Sequence, residues 1–123
     1  MKQTVLVIDD NPDLLDIVDA ILSEAGYVVA KALSGEDGLQ VARTLKPRLI
    51  LLDLNMPKMD GWEVLKLLKN DPATREIPVA IFSVRTDLKD KIFGLQRGAV
   101  DYISKPFQYD RLAERVQRIL AGA

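Results

Sequence analysis

Asp9 with Asp10, Asp53, Ser83 and Lys105 are the residues of this chain whose types could do chemistry together, and they stand at the ends of short segments rich in apolar residues: VLVI, LILL, VAIF and VDYI. Three carboxylates, a hydroxyl and an ammonium suit a narrow range of tasks. Crowded carboxylates repel and raise one another's pKa unless a cation neutralises them. Mg²⁺ does this with one or two carboxylates, a carbonyl and waters in near-octahedral array. Together with the Lys105 ammonium it could hold a phosphoryl group, whose oxygens need cationic and hydrogen-bonding partners during transfer. Ser83 could donate one such bond.

The chain has no Cys and no His, so thiolate and imidazole chemistry, disulfides and Cys-ligated metals are excluded. The remaining nucleophiles are a carboxylate, Ser83 or Lys105. A carboxylate is already ionised at neutral pH, whereas a serine needs a base, which favours Asp53 at the end of LILL. Taken singly, each residue also has a plainer reading. Asp9-Asp10 before Asn11-Pro12 suits a turn and helix cap, and Asp53 with Asn55 and Pro57 suits a loop. Lys105 reads as a solvated lysine and Tyr102 as a half-buried aromatic with a wet hydroxyl. What the plainer readings leave unexplained is five polar groups at one end of a set of strands.

That placement rests on the elements. Five β-branched, apolar segments recur at Thr4 to Ile8, Tyr27 to Ala32, Leu49 to Leu52, Ile77 to Phe82 and Val100 to Ile103. VLVI, LILL and VAIF do not alternate, as befits strands covered on both faces of a parallel sheet. Between them the spacing predicts helices. The first runs from cap Asn11, with Pro12 at its first position, to Ala25 and a left-handed Gly26. The second covers Gly35 to Leu45 from cap Ser34, and the third runs from cap Asp60 to Asn70. The fourth covers about Asp87 to Arg97 and the fifth Tyr109 to Ala121. Fivefold β-α alternation implies right-handed crossovers and a doubly wound α/β sheet, whose ligands bind at the carboxyl ends of the strands.

The chain's 123 residues make one domain. With 17 Lys plus Arg against 18 Asp plus Glu, the net charge of -1 supplies no bulk attraction to nucleic acid or anionic membrane. The N-terminus has no signal-peptide pattern and no run is long enough to span a bilayer, so a cytoplasmic protein is expected. Lys58, Lys66, Lys69, Lys89 and Arg111 read as solvated surface.

The segments VLVIDDNPD, LILLDLNMPKMDGWEVLKLLK, PVAIFSV and GAVDYISKPF, which span almost the whole chain, resemble the receiver domains of two-component response regulators, including the stand-alone chemotaxis and sporulation types. The resemblance implies one receiver domain over residues 1–123 with a flavodoxin-like fold, strand order 2-1-3-4-5. It makes Asp53 the phosphoacceptor. Asp9, Asp10 and Asp53, with the backbone carbonyl of Asn55, would hold Mg²⁺. Ser83 takes the place of the hydroxyl that follows the phosphoryl group, Lys105 that of its lysine partner, and Tyr102 that of the aromatic switch; Pro106 is expected to follow a cis bond. The donor would be a phosphohistidine of a sensor histidine kinase or histidine phosphotransfer protein. The acyl phosphate, adding about -1.5 to -2 of charge, would draw in Ser83 and Tyr102 and reshape the face of the fourth helix, fifth strand and fifth helix for a downstream protein. No direct nucleic-acid contact or membrane insertion is implied. Val84 stands where the family commonly has a small residue, and its branched bulk bears on access to the site. The absence of a segment after the fifth helix leaves a stand-alone protein or a receiver cut from a longer chain, and Met1 close to the first strand suits the former.

Three rivals share parts of this pattern. A flavodoxin-like nucleotide binder needs a phosphate-cradling loop after the first strand, but DDNPD would repel phosphate without a metal. A Mg²⁺-dependent aspartyl phosphatase commonly places an acid two residues after its nucleophile, where this chain has Asn55. A phosphate-independent interaction module leaves Asp53, Asp10 and Lys105 without a task.

Overall fold

The computed structural model describes residues 2–83, 88–105 and 107–122. Val84 and Pro106, with its expected cis bond, lie outside the described residues. The elements alternate as β1 (Thr4–Ile8), α1 (Pro12–Glu24), β2 (Val28–Ala32), α2 (Gly35–Leu45), β3 (Leu49–Asp53), α3 (Gly61–Asn70), β4 (Val79–Ser83), α4 (Leu88–Gln96), β5 (Asp101–Ser104) and α5 (Tyr109–Gly122). The strands form one parallel sheet in the order β2-β1-β3-β4-β5.

The unbroken apolar runs have their cause in two cores. Successive side chains of a strand point to opposite faces, so Leu6, Ile8, Ile50, Leu52 and Ile81 pack with Leu39, Val64 and Leu68 of α2 and α3. Val5, Val7, Leu49, Leu51 and Phe82 pack with Leu15, Val18, Leu112 and Val116 of α1 and α5. A polar residue within such a strand would sit in one core or the other; the first place a carboxylate can stand is the strand's end.

Helix starts follow the local chemistry. The Asn11 side chain accepts the backbone N–H groups of Asp13 and Leu14, Ser34 accepts that of Asp37, and Asp60 that of Glu63, each satisfying donors that the first turn leaves open. Gly26 takes φ +100 after α1. The α2 helix ends differently, on Lys46 at φ 51, a left-handed non-glycine that Pro47 follows because the helix cannot continue through it. Three strands are offset from the apolar runs. β2 begins at Val28 and β4 at Val79, the latter because Pro78 has no N–H to give the ladder, although its carbonyl accepts from the Ile50 N–H at 3.0 Å. β5 spans Asp101–Ser104, one residue later than the run.

Register then sets which strand ends meet. Ile8 pairs with Leu52, Asp53 with Phe82, and Ser83 with Ser104. One residue further along, Asp9 therefore lies beside Asp53, and Lys105 just beyond Ser83. The loop after β3 is held by a close approach: a Cβ on Gly61 would lie 2.3 Å from the Asp53 carbonyl oxygen and 2.6 Å from Leu54 Cα, while the Gly61 N–H donates to the Leu54 carbonyl at 3.0 Å. Because both obstacles are backbone, Gly61→Ala should cost about 1–3 kcal/mol in a denaturant melt. Gly94→Ala, whose Cβ would meet the Trp62 ring at an ordinary 3.5 Å, should be neutral or stabilising by up to about 1 kcal/mol. Equal midpoints for the two variants would show that the Gly61 contact is not a constraint.

Candidate functional site

Asp53 is the last residue of β3 and only 4% exposed; Asp9, just past β1, is 1% exposed. The Lys105 ammonium lies between them, 2.7 Å from Asp9 Oδ2 and 3.3 Å from Asp53 Oδ1. Its side chain is 15% exposed, so the reading of Lys105 as a solvated lysine does not hold: both carboxylates draw it inward, and its Nζ sits 4.8 Å from the centre of the Phe82 ring. The strand that carries it is anchored by the Lys105 N–H donating to the Ser83 carbonyl at 2.8 Å.

Asp9 does two things at once. Its Oδ1 accepts the Asn11 N–H at 3.0 Å, fixing the entry to α1, and its Oδ2 faces Lys105. The cap of α1 is thus Asn11, and Asp9 is free of that duty. Asp10 is exposed and completes a group in which one carboxylate oxygen each from Asp9, Asp10 and Asp53 lies within 4.8 Å of the others. Three carboxylates against one ammonium leave a formal charge of -2, which a single divalent cation would balance. The donors are oxygens throughout, which selects a hard cation.

The field at Asp53 reports the same imbalance. Burial raises its pKa above the ordinary carboxylate range and the Asp9 charge adds to the rise, while the Lys105 ammonium and the Asn55 backbone N–H, a hydrogen-bond donor to the carboxylate, pull it down; the balance is upward. Asn55 itself is exposed.

Ser83 is fully buried at the end of β4, on the same sheet edge. Tyr102 is 6% exposed, not half-buried, because its place beside Ile81 puts the ring in the apolar cluster on the α2 and α3 side. Arg115 of α5 grips β5 there, bonding both carboxylate oxygens of Asp101 at 2.9 and 2.7 Å and the Tyr102 carbonyl at 3.2 Å. Burial alone would raise the Asp101 pKa, but Arg115 and the Tyr102 N–H outweigh it and hold the group below its usual range. Sequence reading passed over this tether, and the aromatic floor of Phe82 and Phe107, with ring centres 5.0 Å apart. The KPF tripeptide was the only local signal for Phe107. Lys69 departs from the reading as solvated surface, since its ammonium donates to the carbonyls of Arg75 and Ile77 at 3.2 and 2.9 Å and burial lowers its pKa.

Set beside known proteins, the chain matches the response regulator receiver domain over residues 5–117. It is 36% identical to the protein PilH of Pseudomonas aeruginosa over 118 residues, covering 96% of this chain and 98% of that one. It is 41% identical over 116 residues to the DNA-binding dual master transcriptional regulator RpaA of Synechocystis sp., covering 94% of this chain but 48% of RpaA, so it spans about half the length of that relative. Its fold superposes on the chemotaxis protein CheY4 of Vibrio cholerae with TM-score 0.91 at 29% identity, over 97% of this chain and 99% of that one. The chain belongs to the response regulator receiver domain family. No helix among the described residues is long and apolar enough to cross a membrane.

The raised pKa of Asp53 has a consequence for stability. The folded state holds its proton more tightly than the unfolded chain, so ionising Asp53 costs folding energy that is absent below the ordinary carboxylate pKa and complete above the raised one. In metal-free buffer, Asp53→Asn should therefore melt higher than the parent at pH 7, and the gain should disappear as pH falls below about 4. A parent and variant with the same melting temperature at pH 7 would contradict the electrostatic account.

Proposed function

We propose that the chain is a phosphorylation-dependent signalling switch in which Asp53 accepts a phosphoryl group from a phosphohistidine of a sensor histidine kinase or histidine phosphotransfer protein. The observation that carries this reading is the Lys105 ammonium seated between Asp9 and Asp53 at the carboxyl edge of the sheet.

A carboxylate oxygen of Asp53 attacks phosphorus in line with the leaving imidazole; the N–P bond breaks as the O–P bond forms, and the product is an acyl phosphate. Lys105 already touches the attacking carboxylate at 3.3 Å, so it can pass to a phosphoryl oxygen without leaving Asp9. The Asn55 N–H orients Asp53, and Ser83 lies on the same edge to donate to the phosphoryl group. Asp9, Asp10 and Asp53, with the Asn55 carbonyl, would hold Mg²⁺, which when bound neutralises the charge that builds on the transferring oxygens. The donor set fits it: hard oxygens, an uncompensated charge of -2 and an Asp10 open to solvent.

The output follows from the tether at β5. Moving Lys105 and Ser83 pulls on β5, and the Arg115–Asp101 pair makes α5 move with it. A downstream protein would read the face of α4, β5 and α5, with Tyr102 at its root. We place this exchange in the cytoplasm, without direct nucleic-acid contact, and assign it to one receiver unit over residues 1–123.

Intact-protein mass after incubation with Mg²⁺ and a small acyl-phosphate donor should show one added phosphoryl group, absent in Asp53→Asn and with chelator. No adduct and no donor turnover would overturn the proposal, and no adduct with fast turnover would indicate a phosphatase. Lys105→Ala should still accept some phosphoryl group, yet lose the change in amide exchange over residues 101–122 that the phosphorylated parent shows. Retention of that change would remove Lys105 from the output path.

A further inference from the structure

The α3 and α4 helices enclose a groove of about 620 Å³ on the α3 side of α4, lined by no residue of β5 or α5. Its floor is aromatic: Trp62 and Phe93 meet edge to face with centroids 4.6 Å apart. Beside them Leu67 is 38% and Phe93 39% exposed, an apolar surface that water covers in the isolated chain. Its rim is basic. Arg97 is stacked over the Phe93 ring with its Cζ 4.5 Å from the centroid, and Lys66 is exposed. Among the described residues neither has a carboxylate partner. Lys69 lies deeper with its ammonium already bonded to two carbonyls, and Glu63 is the one acid on the lining. In a chain of net charge -1, three cations against one carboxylate on an apolar floor is a local reversal of sign.

We propose that this groove is a docking site for an acidic segment of a partner protein, its carboxylates meeting Lys66 and Arg97 and an apolar side chain seated between Leu67 and Phe93. Charge complementarity commits the occupant. Arg97 is held in place by its stacking on Phe93, so little side-chain freedom is lost when a carboxylate arrives. A single-stranded nucleic acid is the less favoured occupant. The Trp62 and Phe93 rings pack edge to face instead of standing open as stacking platforms, and Glu63 would oppose a phosphate. The groove is also placed to sense the acceptor site. The α3 wall begins at Gly61, whose backbone abuts the Asp53 carbonyl, and the α4 wall follows β4, which ends at Ser83.

Trp62 is the only tryptophan of the chain and reports on the groove without a label. A random peptide library displayed on phage should be selected on the full, unphosphorylated chain, so that the outcome does not depend on the phosphoacceptor reading. The peptides recovered are expected to combine Asp or Glu with an apolar residue. A synthetic copy should shift Trp62 emission saturably and bind more weakly as salt rises. Affinity should fall about tenfold or more in Lys66→Glu with Arg97→Glu, and less in Lys66→Gln with Arg97→Gln; matching melts of the parent and variants would show that the fold is kept. Recovery of basic or neutral peptides, binding that survives the charge reversal, or no recoverable peptide would each overturn the proposal. Oligothymidylate binding that the reversal abolishes, without peptide binding, would assign the groove to nucleic acid instead.

Discussion

The arrangement depends on one partly buried ammonium that faces more negative charge than it can balance. Lys105 holds Asp9 and Asp53 together at 2.7 and 3.3 Å, and Asp10 stands alongside with a carboxylate oxygen in reach of both. Without Lys105 the two buried carboxylates would repel in a medium that screens poorly. With it the site is still short of positive charge. The proposed attraction for a cation, and for the phosphoryl group a cation would accompany, rests on that shortfall.

The sheet holds the imbalance in place. Parallel strands buried on both faces admit polar residues only where they end, and the register brings the ends of β1, β3 and β4 to one edge with the residue after β5. Each polar group is therefore fixed by a rigid strand and held in turn by a backbone contact: Asp9 by the Asn11 N–H, the Asp53 carbonyl against Gly61, Lys105 by the Ser83 carbonyl. Motion is left to what lies outside those contacts. The bidentate Arg115–Asp101 pair links α5 to β5, the connection through which the proposed switch would pass a displacement at the strand end to the helix.

Much of this was legible in the chain. Continuous runs such as LILL announce strands covered on both sides, and the caps Asn11, Ser34 and Asp60 mark helix starts that the structure places as read. The polar residues after the runs were legible as candidates because nothing else in a two-sided sheet has a reason to be polar. The geometry was not. Lys105 and Asp53 are distant in sequence, and their contact depends on register, which a run of apolar residues does not encode; the strand order came from family resemblance. Lys105 and Lys69 read as solvated because a lysine's partners are invisible until carboxylates or carbonyls are placed around it. Tyr102 read as half-buried because an aromatic near a strand end can face solvent or core. The left-handed Lys46 carries no glycine to announce it, and the Trp62–Phe93 contact joins two helices whose apolar stripes each read as core.

The central claim is that the three carboxylates under one ammonium are electrostatically incomplete, and thermal melting against Mg²⁺ concentration at constant ionic strength tests it most directly. A cation bound only by the folded chain stabilises it by about 2.7 kcal/mol at a hundred times its Kd. A resident cation site predicts a rise in Tm that grows with the logarithm of Mg²⁺ concentration above Kd, on the order of 5–10 °C at a hundred times Kd, that Na⁺ does not reproduce and Asp10→Asn removes. A melt indifferent to Mg²⁺, or the same rise in Asp10→Asn, would contradict it.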